Sequence, residues 1–220
     1  MIVDSRMTDY LHSLEGSQGE LLDEIEEEAV KDRVPIIRRE TAALLKTLVR
    51  AARPKEILEI GTAVGYSALL MCQAMPREGR ITTIEKYEKR IPTARRNFKL
   101  AGEEGRITLL EGDADEILDQ LSGRTFDLIF MDAAKGQYLG WLPKLLPMLP
   151  AGGLLVSDNV LQGGDIACSR FAIERRERTI HSRMREYLYE LKHCPLLETA
   201  VLTVGDGVAV SARKEERIDI

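Results

Sequence analysis

The stretch Glu56-Ile-Leu-Glu-Ile-Gly-Thr-Ala-Val-Gly-Tyr-Ser67 decides the fold of this chain. Its apolar run from Ile57 to Ile60 is too short for a helix and stops at Gly61, which indicates a buried parallel strand followed by a tight turn. The segment that follows, Ala68-Leu-Leu-Met-Cys72, has helical character. A strand, a glycine loop and a helix in this order direct main-chain N–H groups and a helix N-terminus toward a ligand.

The glycine loop also indicates which ligand it takes. Gly61 and Gly65 have no Cβ, so the main chain of the loop can approach a ligand closely. Their Gly-x-x-x-Gly spacing departs from the Gly-x-Gly-x-x-Gly pattern of a pyrophosphate cradle. Glu59 would place a carboxylate beside the loop, which suits an ammonium group and repels phosphate. S-Adenosylmethionine therefore fits better than a dinucleotide, with an ordinary strand-to-helix turn as the alternative.

Length and composition favour a single α/β domain. The chain has 220 residues, of which 44% are hydrophobic, and no apolar run approaches the roughly 20 residues of a membrane span. The N-terminus lacks the layout of a signal peptide, and Cys72, Cys168 and Cys194 have no ligand-like spacing, so we expect reduced thiols in a cytoplasmic protein. The net charge of −5 argues against a surface that binds nucleic acid everywhere, but it is compatible with a local basic patch.

The order of elements predicts a doubly wound parallel sheet. Residues 1–33 read as an amphipathic helical cap, and Val34-Pro35 marks the boundary to a core-facing helix. Strands and helices then alternate. Glu85 ends the second strand and is placed to accept both hydroxyls of a ribose, although it also suits a helix N-terminus.

The third strand ends in Glu111-Gly-Asp-Ala114. We expect Asp113 and Ala114 to contact an adenine ring, with the Asp113 carboxylate accepting from the exocyclic amine. An equally good interpretation makes Asp113 the N-cap of the following helix.

Acidic residues end the next two strands. Asp132 follows the strand Phe126–Met131, and Asp158-Asn159 follows Gly153–Ser157. Two carboxylates and an amide oxygen at one edge of a sheet suit Mg²⁺ or Mn²⁺. The alternative is two separate loop acids and a turn asparagine.

Lys135 lies three residues after Asp132 and would reach the same pocket. A lysine there can act as a base or hold an oxyanion. A solvated surface lysine is the alternative.

Six motifs in order carry a family resemblance: Leu-Glu-Ile-Gly-Thr-x-x-Gly-Tyr-Ser at 58–67, Thr-Ile-Glu at 83–85, Glu-Gly-Asp-Ala at 111–114, Phe-Met-Asp-Ala-Ala-Lys at 130–135, Ser-Asp-Asn-Val at 157–160 and Gly-Asp-Gly-Val-Ala-Val-Ser at 205–211. The chain from about residue 34 to residue 213 resembles the cation-dependent O-methyltransferases of the catechol and caffeoyl-coenzyme A type. This resemblance implies a Rossmann-like class I methyltransferase fold, with a seven-stranded, mostly parallel sheet, helices on both faces and a C-terminal antiparallel hairpin at 198–204 and 207–213. It also implies a homodimer.

The resemblance assigns roles to residues. Asp132, Asp158 and Asn159 become the metal ligands, and Lys135 a candidate catalytic residue. The residues expected to hold the methyl donor are Ile37, Glu59, Gly61, Gly65, Tyr66, Ser67, Glu85, Asp113, Ala114 and Asp132. A cation chelated by two adjacent acceptor oxygens would lower the pKa of the hydroxyl and fix it near the sulfonium methyl group.

A basic segment at 163–192 bears on the acceptor. We expect it to be a helical insertion in which Ile173, Ile180, Met184, Tyr187 and Leu191 share one face. Its arginines Arg170, Arg175, Arg178 and Arg185 would rim the active-site mouth and hold a phosphodiester chain. A helix whose arginines are balanced by glutamates is the alternative.

Within the family, this segment resembles bacterial enzymes that methylate 5-hydroxyuridine at the wobble position of transfer RNA. The 5-hydroxyl and O4 of that base form a chelating pair, and a base of the anticodon loop is accessible. The expected partner is therefore the anticodon loop of transfer RNA. A small catechol or flavonoid acceptor is the runner-up, and a non-catalytic nucleotide-binding module is the alternative from another class.

Overall fold

A computed structural model describes residues 3–215 of the chain. The strands, in chain order, are β1 (Glu56–Ile60), β2 (Arg80–Glu85), β3 (Ile107–Glu111), β4 (Leu128–Met131), β5 (Leu154–Ser157), β6 (Leu197–Leu202) and β7 (Val208–Arg213). They form one seven-stranded sheet in the order β3-β2-β1-β4-β5-β7-β6. β7 pairs antiparallel with both β5 and β6, and all other neighbouring strands pair parallel, so the mostly parallel sheet and the C-terminal hairpin are confirmed.

Helices cover both faces of this sheet. They are α1 (Ser5–Leu14), α2 (Glu20–Lys31), α3 (Arg39–Ala52), α4 (Tyr66–Ala74), α5 (Ile91–Leu100), α6 (Ala114–Gln120), α7 (Tyr138–Leu145) and α8 (Arg178–His193). Side chains along a strand alternate between faces, so β1 contributes to both cores. Ile57 packs with α2 to α5, whereas Leu58 and Ile60 pack with α6 to α8.

The register of the parallel strands decides where the candidate site lies. Ile60 of β1 pairs with Ile84 of β2 and with Met131 of β4. Met131 in turn pairs with Ser157 of β5. The residues that follow these pairs therefore emerge together at the carboxyl edge of the sheet, which is where ligands bind in such folds.

The N-terminal cap is helical, as predicted, but its two helices are packed differently. α2 buries Leu22 and Ile25, and most of its acidic residues are exposed, whereas Asp23 and Glu26 are half-buried. The apolar residues of α1 stay exposed: Met7, Tyr10, Leu11 and Leu14. Among the described contacts of α1 is a 2.5 Å hydrogen bond between the His12 ring and the Glu40 carboxylate at the start of α3.

The prediction of a helix over the whole basic segment is wrong for its first part. Residues Gln162–Ala167 and Arg170–Ala172 form short 3₁₀ turns, and the α-helix begins only at Arg178. Gly163 and Gly164 both have positive φ angles, which break the helical path before it starts. Ile173 is buried, but it lies in the loop and does not share a helix face with Met184 and Leu191.

The three cysteines form no disulfide: Cys72 is buried, Cys168 is exposed and Cys194 is partly exposed. None of the helices within residues 3–215 combines the length and apolar character needed to cross a membrane.

Candidate active site

A cavity of about 280 Å³ opens at the carboxyl ends of β1, β2, β3 and β4. Many of the predicted site residues line it: Ile37, Gly61, Tyr66, Ser67, Glu85, Asp113, Ala114, Asp132 and Lys135. These residues are spread over nearly 100 positions of the chain, from Ile37 to Lys135, and the sheet register brings them together. Glu59, Gly65, Asp158 and Asn159 do not belong to the described lining of this cavity.

The two loop glycines serve packing more than ligand approach. Gly61 has a φ of +96°, and a Cβ there would collide with the main-chain oxygen of Asp132. Gly65 has a φ of +89°, and a Cβ there would come within 2.6 Å of the Phe98 ring. Both glycines are thus required by neighbouring protein atoms, and Gly61 alone of the two also lines the cavity.

Glu59 lies beneath the cavity wall and is fully buried. Its carboxylate accepts hydrogen bonds from Ser67 Oγ at 2.5 Å and from Thr83 Oγ1 at 2.5 Å. Burial raises the pKa of Glu59 to about 7, although the two hydroxyl donors act in the opposite direction. Glu59 therefore connects β1, β2 and α4 from below, while Ser67 faces the cavity.

Glu85 is held in place by the main chain. Its carboxylate accepts from the Ala63 N–H at 2.8 Å and from the Tyr87 N–H at 2.8 Å. These bonds leave further lone pairs on both oxygens, because each carboxylate oxygen accepts more than one hydrogen bond. Glu85 can thus accept hydroxyl groups from a ligand in the cavity.

Asp113 caps α6, which confirms one of its two predicted interpretations. Its carboxylate accepts from the Asp115 N–H at 3.0 Å, and the Lys86 ammonium lies 3.3 Å from its other oxygen. The N–H of Asp115, followed by Lys86, lowers the pKa of Asp113. Because Asp113 also lines the cavity, the cap does not exclude the predicted contact with an adenine amine.

Asp132 and Asp158 form an acidic pair at the ends of adjacent strands. The Asp158 N–H donates to the Met131 carbonyl at 2.9 Å, which continues the β4–β5 ladder up to the pair. Asp158 is 2% exposed, and burial together with the charge of Asp132 raises its pKa to about 7. Burial also raises the pKa of Asp132, against the opposing effect of Lys135. Two carboxylates so placed favour sharing a proton or a cation.

The surroundings of this pair are fixed by main-chain and tyrosine contacts. Asn159 has a φ of +59°, and its N–H donates to Asp158 Oδ1 at 2.7 Å. The buried Tyr138 hydroxyl donates to the Met131 carbonyl at 3.0 Å and accepts from the Ala133 N–H at 3.2 Å. A non-glycine residue in the left-handed region is often found at functional turns.

The Lys135 side chain points toward Asp132, as predicted. Its ammonium lies 3.4 Å from Asp132 Oδ1, and its side chain is 30% exposed. Because Lys135 lines the cavity, the interpretation as a purely solvated surface lysine does not fit the structure.

The arginines of the basic segment divide into two kinds. Arg178 donates to the carbonyls of Ile173 and Phe171, and Arg185 donates to the carbonyl of Ile166. These two side chains therefore hold the preceding loop against α8. Arg170 and Arg175 are exposed, and no salt bridge involves either of them within residues 3–215.

Sequence reasoning missed several residues of the cavity wall: Lys86, Tyr87, Arg90, Gln137 and Trp141. Lys86 and Tyr87 directly follow Glu85, so their position after β2 was a usable signal. Trp141 lies within α7, and no motif or spacing marks it. Arg90 stacks over the Tyr87 ring at 5.0 Å, which makes this pair a rim of the cavity.

Residues 12–214 match the O-methyltransferase family, and the chain belongs to this family. It is 32% identical over 182 residues to caffeoyl-CoA O-methyltransferase 2 of Populus trichocarpa, an alignment that covers 77% of this chain and 71% of the plant protein. The chain is therefore an O-methyltransferase, and this membership favours an enzyme over a non-catalytic nucleotide-binding module.

Solved structures agree with this assignment. The methyltransferase PaMTH1 of Podospora anserina, determined with bound S-adenosylhomocysteine, superposes with a TM-score of 0.84 at 29% identity, covering 96% of this chain and 95% of the other. The O-methyltransferase TomG of Streptomyces achromogenes, determined with S-adenosylmethionine, has a TM-score of 0.82 at 25% identity, covering 94% and 95%. The predicted class I methyltransferase fold is thus confirmed.

Proposed function

We propose that this enzyme transfers a methyl group from S-adenosylmethionine to one of two adjacent acceptor oxygens that are held by a divalent cation. We further propose that the acceptor is 5-hydroxyuridine at the wobble position of transfer RNA. The observation that carries the proposal is the pairing of the half-buried Asp132 with the buried Asp158, beside a cavity suited to an amino-acid ligand.

The hydrogen-bond direction at Ser67 supports the methyl donor. The Ser67 hydroxyl uses its single proton to donate a hydrogen bond to the Glu59 carboxylate. Its oxygen can therefore only accept a hydrogen bond from a ligand in the cavity. An acceptor at that point selects a donor group such as the ammonium of an amino acid, and it disfavours a carboxylate or phosphate. Glu85 supplies a second acceptor, suited to ribose hydroxyls. S-Adenosylmethionine carries both an amino-acid ammonium group and ribose hydroxyls.

The donor set at the strand ends fits a hard cation. Asp132 and Asp158 supply carboxylate oxygens, and the adjacent Asn159 can supply an amide oxygen. Within residues 3–215, no group of three or more His, Cys, Asp or Glu residues is placed to hold a metal ion. The proposed set has only two carboxylates and one amide, so the remaining coordination positions would be left to water or to the acceptor. The raised pKa of Asp158 reflects its burial and the nearby charge of Asp132, which Lys135 offsets only in part.

The reaction breaks the S–CH₃ bond and forms an O–CH₃ bond. The electron pair of the broken bond stays on sulfur, and the hydroxyl proton of the acceptor leaves to solvent. When bound, the cation would lower the pKa of that hydroxyl and fix the acceptor in the site. Asp132 and Asp158 orient these oxygens, while the Lys135 ammonium, 3.4 Å from Asp132, adds positive charge beside the developing oxyanion.

Exposed side chains in the segment between β5 and α8 support an RNA acceptor. The loop after Asn159 carries Arg170 and Arg175 together with Phe171, which is 84% exposed. Arginines contact phosphates, and an exposed aromatic ring offers a surface on which an unstacked base can lie. Arg178 and Arg185 contribute indirectly, since they hold this loop in place.

A caffeoyl-type vicinal diol is the second candidate acceptor. It is favoured by the similarity to the Populus protein, which is named as a caffeoyl-CoA O-methyltransferase. The chelating pair of oxygens is the same in both candidates, so the metal and donor chemistry does not distinguish them.

The metal requirement is tested by methyl transfer from labelled S-adenosylmethionine to transfer RNA containing 5-hydroxyuridine, and to a catechol, with Mg²⁺ or with a chelator. We expect turnover only with the cation. Asp158→Asn should lower kcat about 100-fold or more, because one charged ligand is lost. Glu111→Gln is the matched control, since this acid also ends a strand but is exposed and paired with Arg95. Full activity in the chelator would refute the metal role. Turnover of the catechol but not of the RNA would refute the wobble acceptor.

A further inference from the structure

A second polar cavity lies between the loop that precedes α8 and the helix itself. Its volume is about 390 Å³, and its wall includes Ser169, Arg170, His181, Ser182, Arg185 and Glu186. None of these residues lines the S-adenosylmethionine cavity described above. The proposed chemistry does not use this second cavity.

His181 is the unusual member of its wall. The side chain is 2% exposed, yet neither ring nitrogen has a hydrogen-bond partner in the described part of the chain. A neutral imidazole offers one donor and one acceptor, and leaving both unpaired in a buried position destabilises the folded chain. Such a group indicates a partner from outside the chain, which reaches the ring only after the cavity wall shifts, because protein atoms cover both nitrogens.

The other groups of the wall define the chemistry of that partner. Arg170 and Arg185 bring positive charge, and Ser169 and Ser182 bring hydroxyl donors. Arg185 uses one N–H on the Ile166 carbonyl, which fixes its guanidinium and leaves other N–H groups available. Glu186 opposes the two arginines with a single negative charge. The donors outnumber the acceptors, so the cavity suits an oxyanion with several acceptor oxygens.

We propose that this cavity is a phosphate-binding subsite, in which Arg170 and Arg185 hold a phosphate group of the methyl acceptor beside the His181 ring. This inference rests on the proposed function, because it assigns the subsite to that acceptor. A transfer RNA and a coenzyme A thioester both carry phosphate, whereas a free catechol does not. The subsite therefore distinguishes acceptors that carry a phosphate group from acceptors that do not.

Binding is tested first without any methyl transfer. The chain contains three histidines, His12, His181 and His193, so the ring signals of His181 can be assigned by comparison with His181→Asn. Titration of the full-length protein with inorganic phosphate should shift the His181 signals and leave those of His12 and His193 unchanged. Arg170→Ala should weaken this response about tenfold, the loss of about 1.4 kcal/mol of binding free energy.

Arg176→Ala is the matched control. Arg176 lies in the same segment and is exposed, but it pairs with Glu174 and Glu177 and does not line the cavity. Its phosphate response should equal that of the unchanged protein. An equal response of Arg170→Ala, or no shift of His181 with phosphate, would overturn the subsite. Because Arg170 is exposed, this variant tests the subsite even where His181→Asn fails to fold.

Kinetics then identify the source of the phosphate. Arg170→Ala should raise KM about tenfold for the phosphate-bearing acceptor, either 5-hydroxyuridine transfer RNA or a caffeoyl thioester of coenzyme A, with kcat nearly unchanged. KM for a free catechol should not move. An equal rise in KM for the free catechol would overturn the subsite. If phosphate shifts the His181 signals but neither phosphate-bearing acceptor is methylated, the proposed acceptors are refuted and the phosphate subsite is not.

Discussion

The buried carboxyl group of Glu59 predicts an unusual pH dependence of stability. Its pKa rises from an ordinary 4.5 to about 7 in the folded protein, chiefly because the group is fully buried. Below pH 4.5 the group is protonated in both the folded and the unfolded chain, so it has no effect. Between pH 4.5 and 7 the unfolded chain loses the proton while the folded chain keeps it. The free energy of unfolding therefore falls as pH rises through this window.

The size of the effect follows from the two pKa values. Each pKa unit corresponds to about 1.4 kcal/mol, so the full penalty above pH 7 is about 3 kcal/mol. Most of this penalty, about 2–3 kcal/mol, develops between pH 5 and pH 8. Glu59→Gln removes the ionisable group but keeps an amide that can bond to the hydroxyls of Ser67 and Thr83. The free energy of unfolding of this variant should thus fall by about 2–3 kcal/mol less than that of the unchanged protein over the same pH interval.

Urea denaturation at pH 5 and pH 8, in the presence of a chelator and without ligand, measures this difference. Glu111→Gln is the control, because this exposed acid is paired with Arg95 and should leave the pH dependence unchanged. Asp158 also has a pKa of about 7, but it is present in all three proteins and cancels in the comparison. If the unchanged protein and Glu59→Gln lose the same stability between pH 5 and pH 8, the reasoning about Glu59 is refuted.

Gly65→Ala should lower the free energy of unfolding, measured in urea, by about 1–3 kcal/mol, because a Cβ at a φ of +89° meets the Phe98 ring. Gly102→Ala is the control, and it should lower the free energy of unfolding by less, because φ is +69° there but the space around it is open. Equal losses in the two variants would contradict the packing role of Gly65. Ser67→Ala should raise the Kd for S-adenosylmethionine about tenfold in calorimetry, since one acceptor is lost; an unchanged Kd would rule out that contact. Arg178→Ala should speed proteolysis within residues 162–177, because two hydrogen bonds to the loop are lost. The Arg176→Ala variant should be cleaved at the same rate as the unchanged protein.

The sheet and its ligand edge could be predicted from local patterns. Short apolar runs that end in Gly61, Glu85, Asp132 and Asp158 are typical of buried parallel strands, and the register of such strands places their ends together. The prediction of Lys135 beside Asp132 holds for the same reason, since three residues after a strand end leave little freedom.

What could not be predicted depends on contacts between distant residues. The spacing of Ile173, Ile180 and Met184 is helical, but Gly163 and Gly164 adopt positive φ angles and a loop occupies the first part of the segment. Arg178 and Arg185 are anchors of that loop, which no sequence spacing reveals. The roles of Gly61 and Gly65 are set by Asp132 and Phe98, which lie more than 30 residues away.

Glu59 connects the stability of the fold to recognition of the methyl donor. The carboxylate that destabilises the protein above pH 7 also accepts the hydrogen bond of the Ser67 hydroxyl, which leaves the Ser67 oxygen free to act as an acceptor toward the cavity. An amide at this position would give Ser67 an N–H donor as its partner, so the hydroxyl could then point its own proton into the cavity. Glu59→Gln should therefore gain stability at pH 8 and bind S-adenosylmethionine more weakly. A substitution that stabilises the fold but weakens ligand binding is expected where a buried charge is retained for function.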